Sequence, residues 1–237
     1  MKYYLLPLFA LFLFACTEEA DKTTTIQNAP VKTRDYQNNL ALAADSLETV
    51  GSLILKDTVV TALPAGLVNM TALEAAGVGL AELPDVSGWT ALRKVILDNN
   101  QLSELPTGAA NWEAIQILLA SSNRISRIPD DLSKWTRIRQ IKLNDNQLTS
   151  FPVGLTQLSN VERLSLKANQ IKELPTEIKN LTNLQYLELQ NNQLTDLPTE
   201  IAGLPSIKAI YIQGNNIPEA RQKEIKRLMT GVAHVVF

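Results

Sequence analysis

The sequence predicts an α/β solenoid: short strands joined in one parallel sheet on a concave face, irregular turns on the convex side, and helical caps. Three observations predict it. The segment from Leu184 to Pro198 has the skeleton LxxLxLxxNxLxxLP, completed by Ile201 and Leu204. The skeleton opens again at steps of 23 residues, at Leu92, Ile115, Ile138, Val161 and Ile207. A fixed period of this length marks stacked supersecondary units. An asparagine column, Asn100, Asn123, Asn146, Asn169, Asn192 and Asn215, runs through six units without exception. The two leucines of each LxL alternate, as they do on a strand with one buried face.

The repeat accounts for a composition of 37 leucines and 18 asparagines against 10 glycines in 237 residues. With 45% apolar and 19% charged residues the chain as a whole is not of the disordered class. A net charge of −2 supplies no basic field for nucleic acid. One cysteine, Cys16, and one histidine, His234, exclude a disulfide framework and a multi-cysteine zinc site. They leave little material for a histidine-based triad or metal centre.

Residues 1–15 open with Met1-Lys2 and an apolar run of eleven residues, Leu5 to Ala15. About twenty are needed to span a bilayer, so the run is read as a cleaved secretory signal. Leu13-Phe14-Ala15-Cys16 resembles a bacterial lipobox. That resemblance implies lipidation of Cys16 as the new N-terminus and anchoring in the cell envelope, at the outer membrane. Residues 16–36 are polar and aperiodic and are read as a disordered tether, about twenty residues reaching roughly 25 Å. Within it, Glu18-Glu19 resembles the export signal of surface lipoproteins in Bacteroidota, or is a plain charged spacer. Asp45-Ser46-Leu47 and Asp57-Thr58-Val59 resemble a short O-glycosylation motif of the same bacteria.

Residues 37–49, with Leu40 to Leu47, are expected to form an N-terminal cap helix. Residues 50–218 hold about eight coils. Upstream of Leu92 the period slips, to 22 at Met70 and 20 at Val50, and Val78 and Thr58 stand where asparagine belongs. The column Trp89, Trp112 and Trp135 continues as Leu158, Leu181 and Leu204, which makes the tryptophans convex-side core. The proline after each LP leucine suits an extended or turn segment. Residues 219–237 form the C-terminal cap. A helix is expected from Pro218 to Met229, with proline first, acids early and bases late. Gly231 ends it, and a strand from Val232 to Phe237 turns His234 to solvent.

On these residues the chain resembles the leucine-rich-repeat family in its 23-residue form, within a bacterial lipoprotein. The positions the skeleton leaves free on the strands are the candidate binding face: Lys94, Ile96 and Asp98; Ile117 and Leu119; Gln140 and Lys142; Arg163 and Lys167; Tyr186 and Glu188; and Tyr211. Ile96, Ile117 and Leu119 cluster where a solvated strand shows polar residues, and Lys142, Arg163 and Lys167 separate them from the tyrosines. Apolar and tyrosine groups flanked by charge suit recognition of a protein. The expectation is a non-enzymatic binder with no cofactor and no metal. Capture of peptides or glycans for an outer-membrane transporter, and a structural envelope spacer, stand as alternatives.

Overall fold

A computed structural model describes residues 23–26, 52–55, 63, 67–231 and 234–237. Among them, ten strands form one parallel sheet in chain order. They are β1 (Thr23–Ile26), β2 (Ser52–Leu55), β3 (Ala72–Glu74), β4 (Lys94–Ile96), β5 (Ile117–Leu119), β6 (Gln140–Lys142), β7 (Arg163–Ser165), β8 (Tyr186–Glu188), β9 (Ala209–Tyr211) and β10 (His234–Val236). Eight of these, β2 to β9, are the LxL segments of the eight coils. Their central leucine, isoleucine or valine points inward, from Leu53 through Val95 and Leu118 to Ile210, each at most 1% exposed. No coil closes a core alone; stacking turns these side chains into one continuous cluster.

The asparagine column joins coil to coil. Asn123 Nδ2 donates to Leu97 O of the preceding coil at 2.9 Å, while its Oδ1 accepts the Leu102 amide at 3.0 Å. Asn100, Asn146, Asn169, Asn192 and Asn215 repeat the pattern. In the coil of β3 the buried Val78 fills the slot, so that coil relies on Asn100 reaching back to Ala75 O.

The residue before each asparagine of the column, and before Val78 in the coil of β3, is left-handed. Gly77, Asn99, Ser122, Asp145, Ala168, Asn191 and Gly214 all have φ between 53° and 71°. Glycine, asparagine and aspartate visit this region most easily, whereas a Cβ without a local hydrogen bond costs about 1–2 kcal/mol there. Ala168 is therefore held in place by its neighbours: its amide donates to Gln190 O at 2.8 Å.

The convex side is less irregular than expected. Pro106, Pro152, Pro175 and Pro198, with φ between −63° and −72°, each precede one turn of 3-10 helix: Thr107–Asn111, Val153–Gln157, Thr176–Asn180 and Thr199–Gly203. The fixed φ suits the extended entry, and the missing N–H loses nothing there. Where the turn holds aspartate the helix is replaced by side-chain closure. Asp85 and Asp131 accept the Ser87 and Ser133 amides at 2.9 and 3.0 Å. Both carboxyls are held below the usual value, Asp85 chiefly by the Ser87 amide and Asp131 chiefly by the Ser133 hydroxyl. What they add to stability is thus complete above the ordinary carboxylate range and fades as pH falls through it.

Trp89, Trp112 and Trp135 are 2%, 0% and 1% exposed and stack through the convex core, as their spacing predicts.

Three differences from the sequence expectation concern the ends. Thr23–Ile26 is a strand, not part of an irregular tether; it pairs in parallel with β2, Thr23 opposite Ser52. The free edge of β2 offers backbone donors and acceptors, and a β-branched run is suited to take them. At the other end, helix α1 spans Glu219–Leu228 with Pro218 as its N-cap, one residue outside the helix. It stops at the Met229 C-cap, whose amide donates to Ile225 O, before reaching Gly231. The last strand is the shorter His234–Val236, paired with β9, and His234 is exposed on it. Arg221 ties α1 to the coil of β8 through Asp196 at 2.6 Å and reaches Glu224 at 2.7 Å. The expected signal 1–15, Cys16, cap helix 37–49 and glycosylation motifs at Asp45 and Asp57 lie outside the described residues.

Candidate partner-binding face

Parallel register sets the free positions in rows. One row runs Ile96, Leu119, Lys142, Ser165, Glu188 and Tyr211 on successive strands, and beside it runs Lys94, Ile117, Gln140, Arg163, Tyr186 and Ala209. A third, two residues further along the chain, holds Asp98, Ser121, Asn144, Lys167, Gln190 and Gln213. All twelve expected binding positions fall on these rows, on the face opposite the core.

Ile96 lies opposite Leu119 across adjacent strands, with Ile117 on the same strand as Leu119. All three are half-buried, so each still offers apolar surface. On the β3 side the cluster is bounded by an ion pair, Lys94 Nζ donating to Glu74 Oε1 at 2.7 Å with the side chains 42% and 30% exposed. At such exposure the pair adds at most about 1 kcal/mol to stability, but it leaves neither charge unmatched. Asp98 Oδ1 accepts the Ser121 amide at 2.6 Å.

On the other side Lys142, Arg163 and Lys167 are exposed. The Arg163 guanidinium carbon stands 4.7 Å from the centre of the Tyr186 ring, a cation–π contact that fixes its position without cancelling its charge. Ser165 is buried, with its hydroxyl 2.6 Å from Asn144 Oδ1 and 2.8 Å from Glu188 Oε2, one proton shared by two acceptors. Asn144 Oδ1 also accepts the Lys167 amide at 3.0 Å.

Glu74, Asn144 and Ser165 were not among the expected site residues. Opposite charges on adjacent rungs of the ladder would have signalled the Glu74–Lys94 pair. Ser165 carries its own signal, as the smallest side chain of a row of long ones. Among the described residues no group of three or more His, Cys, Asp or Glu is arranged to hold a metal ion, and no helix is long and apolar enough to cross a membrane.

Comparison with known proteins agrees with this geometry. A family model for the leucine rich repeat matches residues 159–217. A search of the curated proteins finds no match. Among solved structures, the chain is similar to the leucine-rich-repeat ectodomain of the receptor kinase GASSHO1/SCHENGEN3 of Arabidopsis thaliana, with 27% identity and a TM-score of 0.66 over 73% of this chain and 22% of that one. It is similar in fold to two internalins of Listeria monocytogenes. For InlF the identity is 20% and the TM-score 0.66, over 84% of this chain and 57% of that one. For InlC2 the identity is 22% and the TM-score 0.68, over 81% and 83%. The chain thus spans about a fifth of the plant ectodomain, and its repeats share a scaffold that typically serves binding. The repeats at residues 159–217 match the leucine-rich-repeat model, and the fold of the chain is that of a leucine-rich-repeat solenoid.

Proposed function

We propose that the chain is an exported, lipid-anchored protein that binds a protein or peptide partner on its concave face and carries out no turnover chemistry. The observation that carries this reading is the Ile96–Ile117–Leu119 cluster, three large apolar side chains together on a face where most of the large side chains are polar or charged. Apolar anchors ringed by charge are the composition of interface centres. The plant ectodomain, crystallised in complex with CASPARIAN STRIP INTEGRITY FACTOR 2, supports the use of such a scaffold for recognition. The anchor rests on the lipobox-like Leu13-Phe14-Ala15-Cys16, since two or three acyl chains on Cys16 hold a protein stably at a membrane.

Two measurements test the reading. A fatty-acid analogue is expected to label the full chain and not Cys16→Ser; label persisting on the variant would remove the anchor. In pull-downs from envelope extracts, Leu119→Asp with unchanged circular dichroism is expected to lose a discrete, saturable partner. Unsaturable association indifferent to Leu119→Asp would make the solenoid a spacer instead.

A further inference from the structure

We infer that the partner is acidic: an extended peptide segment seats an apolar side chain on Ile96, Ile117 and Leu119 and a carboxylate on Lys142, Arg163 and Lys167. This rests on the concave-face reading above and adds the partner's chemistry to it. On this face Lys94 has a carboxylate within 4.0 Å, that of Glu74. Among the described residues Lys142, Arg163 and Lys167 have none. Of the carboxylates on this face, Glu74 pairs with Lys94, Asp98 accepts the Ser121 amide, and Glu188 is held on the Ser165 hydroxyl.

The three cations are also neighbours. Lys142 lies opposite Ser165 in the ladder, and Arg163 and Lys167 lie two residues before and after Ser165 on the same face. With strands about 4.8 Å apart and about 3.3 Å per residue along them, the three side chains spring from positions around Ser165, the smallest residue of the row, with Arg163 turned onto Tyr186. Glu188, held on the Ser165 hydroxyl, is the one carboxylate beside these three cations, so the group keeps a surplus of positive charge that an incoming carboxylate offsets. Arg163, steadied on Tyr186, presents a guanidinium fork matched to a carboxylate.

Spacing defines the ligand further. The apolar cluster occupies β4 and β5, and the cations lie on β6, on β7 and two residues past β7, two strand spacings away, or about 10 Å. An extended segment running across the strands covers that distance in about three residues. The ligand therefore has its apolar anchor and its acid about three residues apart.

The probes are fluorescein-labelled Gly/Ser decapeptides carrying Leu-Ile followed three residues later by Asp-Glu, by Lys-Lys or by Ser-Ser, and one carrying Ser-Ser followed by Asp-Glu. Their binding to the full chain in detergent is read by anisotropy. The Leu-Ile/Asp-Glu peptide is expected to bind about tenfold or more tighter than each of the others and to weaken with added salt. Lys142→Glu with Arg163→Glu is expected to remove that preference, with circular dichroism unchanged. Equal binding of acidic and basic peptides, or indifference to the double variant, overturns the inference; if Leu119→Asp still abolishes binding, the concave-face reading survives. Indifference to both variants overturns the two together. Binding of no peptide, or equally tight binding of a ten-nucleotide oligothymidylate, overturns the acidic-peptide assignment.

Discussion

Replacing Trp112 by alanine is expected to lower the unfolding free energy by about 3–5 kcal/mol. The side chain is fully buried at the centre of a stack, its ring 6.5 Å from that of Trp89 and 5.9 Å from that of Trp135, with planes within 7° and 6° of parallel. Removing it deletes two aromatic contacts and opens a cavity. The surroundings cannot close that cavity by bringing coils together, because the strand ladder and the asparagine bonds already set their spacing. Phenylalanine at the same positions separates packing from polarity. Trp135 Nε1 donates to Ala109 O at 2.9 Å, whereas Trp112 Nε1 is buried with no partner. Trp135→Phe therefore loses ring area and a hydrogen bond, while Trp112→Phe loses ring area and discards an unsatisfied donor. The first is expected to cost about 1 kcal/mol more than the second. Urea denaturation followed by circular dichroism measures all three; Trp112→Phe proving the costlier of the pair would contradict the assignment of the two indole hydrogens.

The same column shows why so much of this fold is legible in the sequence. A repeat converts tertiary neighbours into residues 23 apart, so Trp89, Trp112 and Trp135 announce their contact by spacing alone, and the asparagines do likewise. What the repeat does not carry is harder to read. Thr23–Ile26 has no partner in phase with it, and its pairing with β2 depends on a free edge that only the folded stack presents. The one-turn helices after Pro106, Pro152, Pro175 and Pro198 are too short for a helical period to register. The left-handed column was half visible: Gly77, Asn99, Asp145, Asn191 and Gly214 suit positive φ, but Ser122 and Ala168 conceal it.

The candidate face was legible by subtraction, as the positions the skeleton leaves over. Its internal contacts were not, because they depend on how far each side chain reaches. Whether Arg163 lies on Tyr186 or on Glu188, and whether Ser165 is covered by its longer neighbours, is decided by rotamers that no spacing encodes.

Asn146→Ala is expected to cost about 2–3 kcal/mol and to divide the solenoid. Asn146 Nδ2 donates to Ala120 O at 2.9 Å and to Asn144 O at 3.0 Å, and its Oδ1 accepts the Ile125 amide at 2.9 Å. Alanine offers none of these bonds. The Ile125 amide is left buried without a partner, a penalty of about 1–3 kcal/mol before the carbonyl losses are added. Because each coil touches only its neighbours, this damage stays at one junction, between the coils of β5 and β6. A weakened junction in mid-stack lets the two halves unfold apart, so the urea transition is expected to broaden, with a smaller apparent m-value, as well as to shift. Asn215 provides the control. It makes the same bonds, to Leu189 O and Ile212 O and from the Leu194 amide, at 2.8–2.9 Å, but it is half-buried near the C-terminal end of the stack. Water can replace much of what its amide supplies, and only a short terminal piece lies beyond it. Asn215→Ala is therefore expected to cost about 1 kcal/mol and leave the transition sharp. Equal losses with equally sharp transitions at the two sites would mean that the ladder acts through local turn formation, since burial and position would then carry no weight.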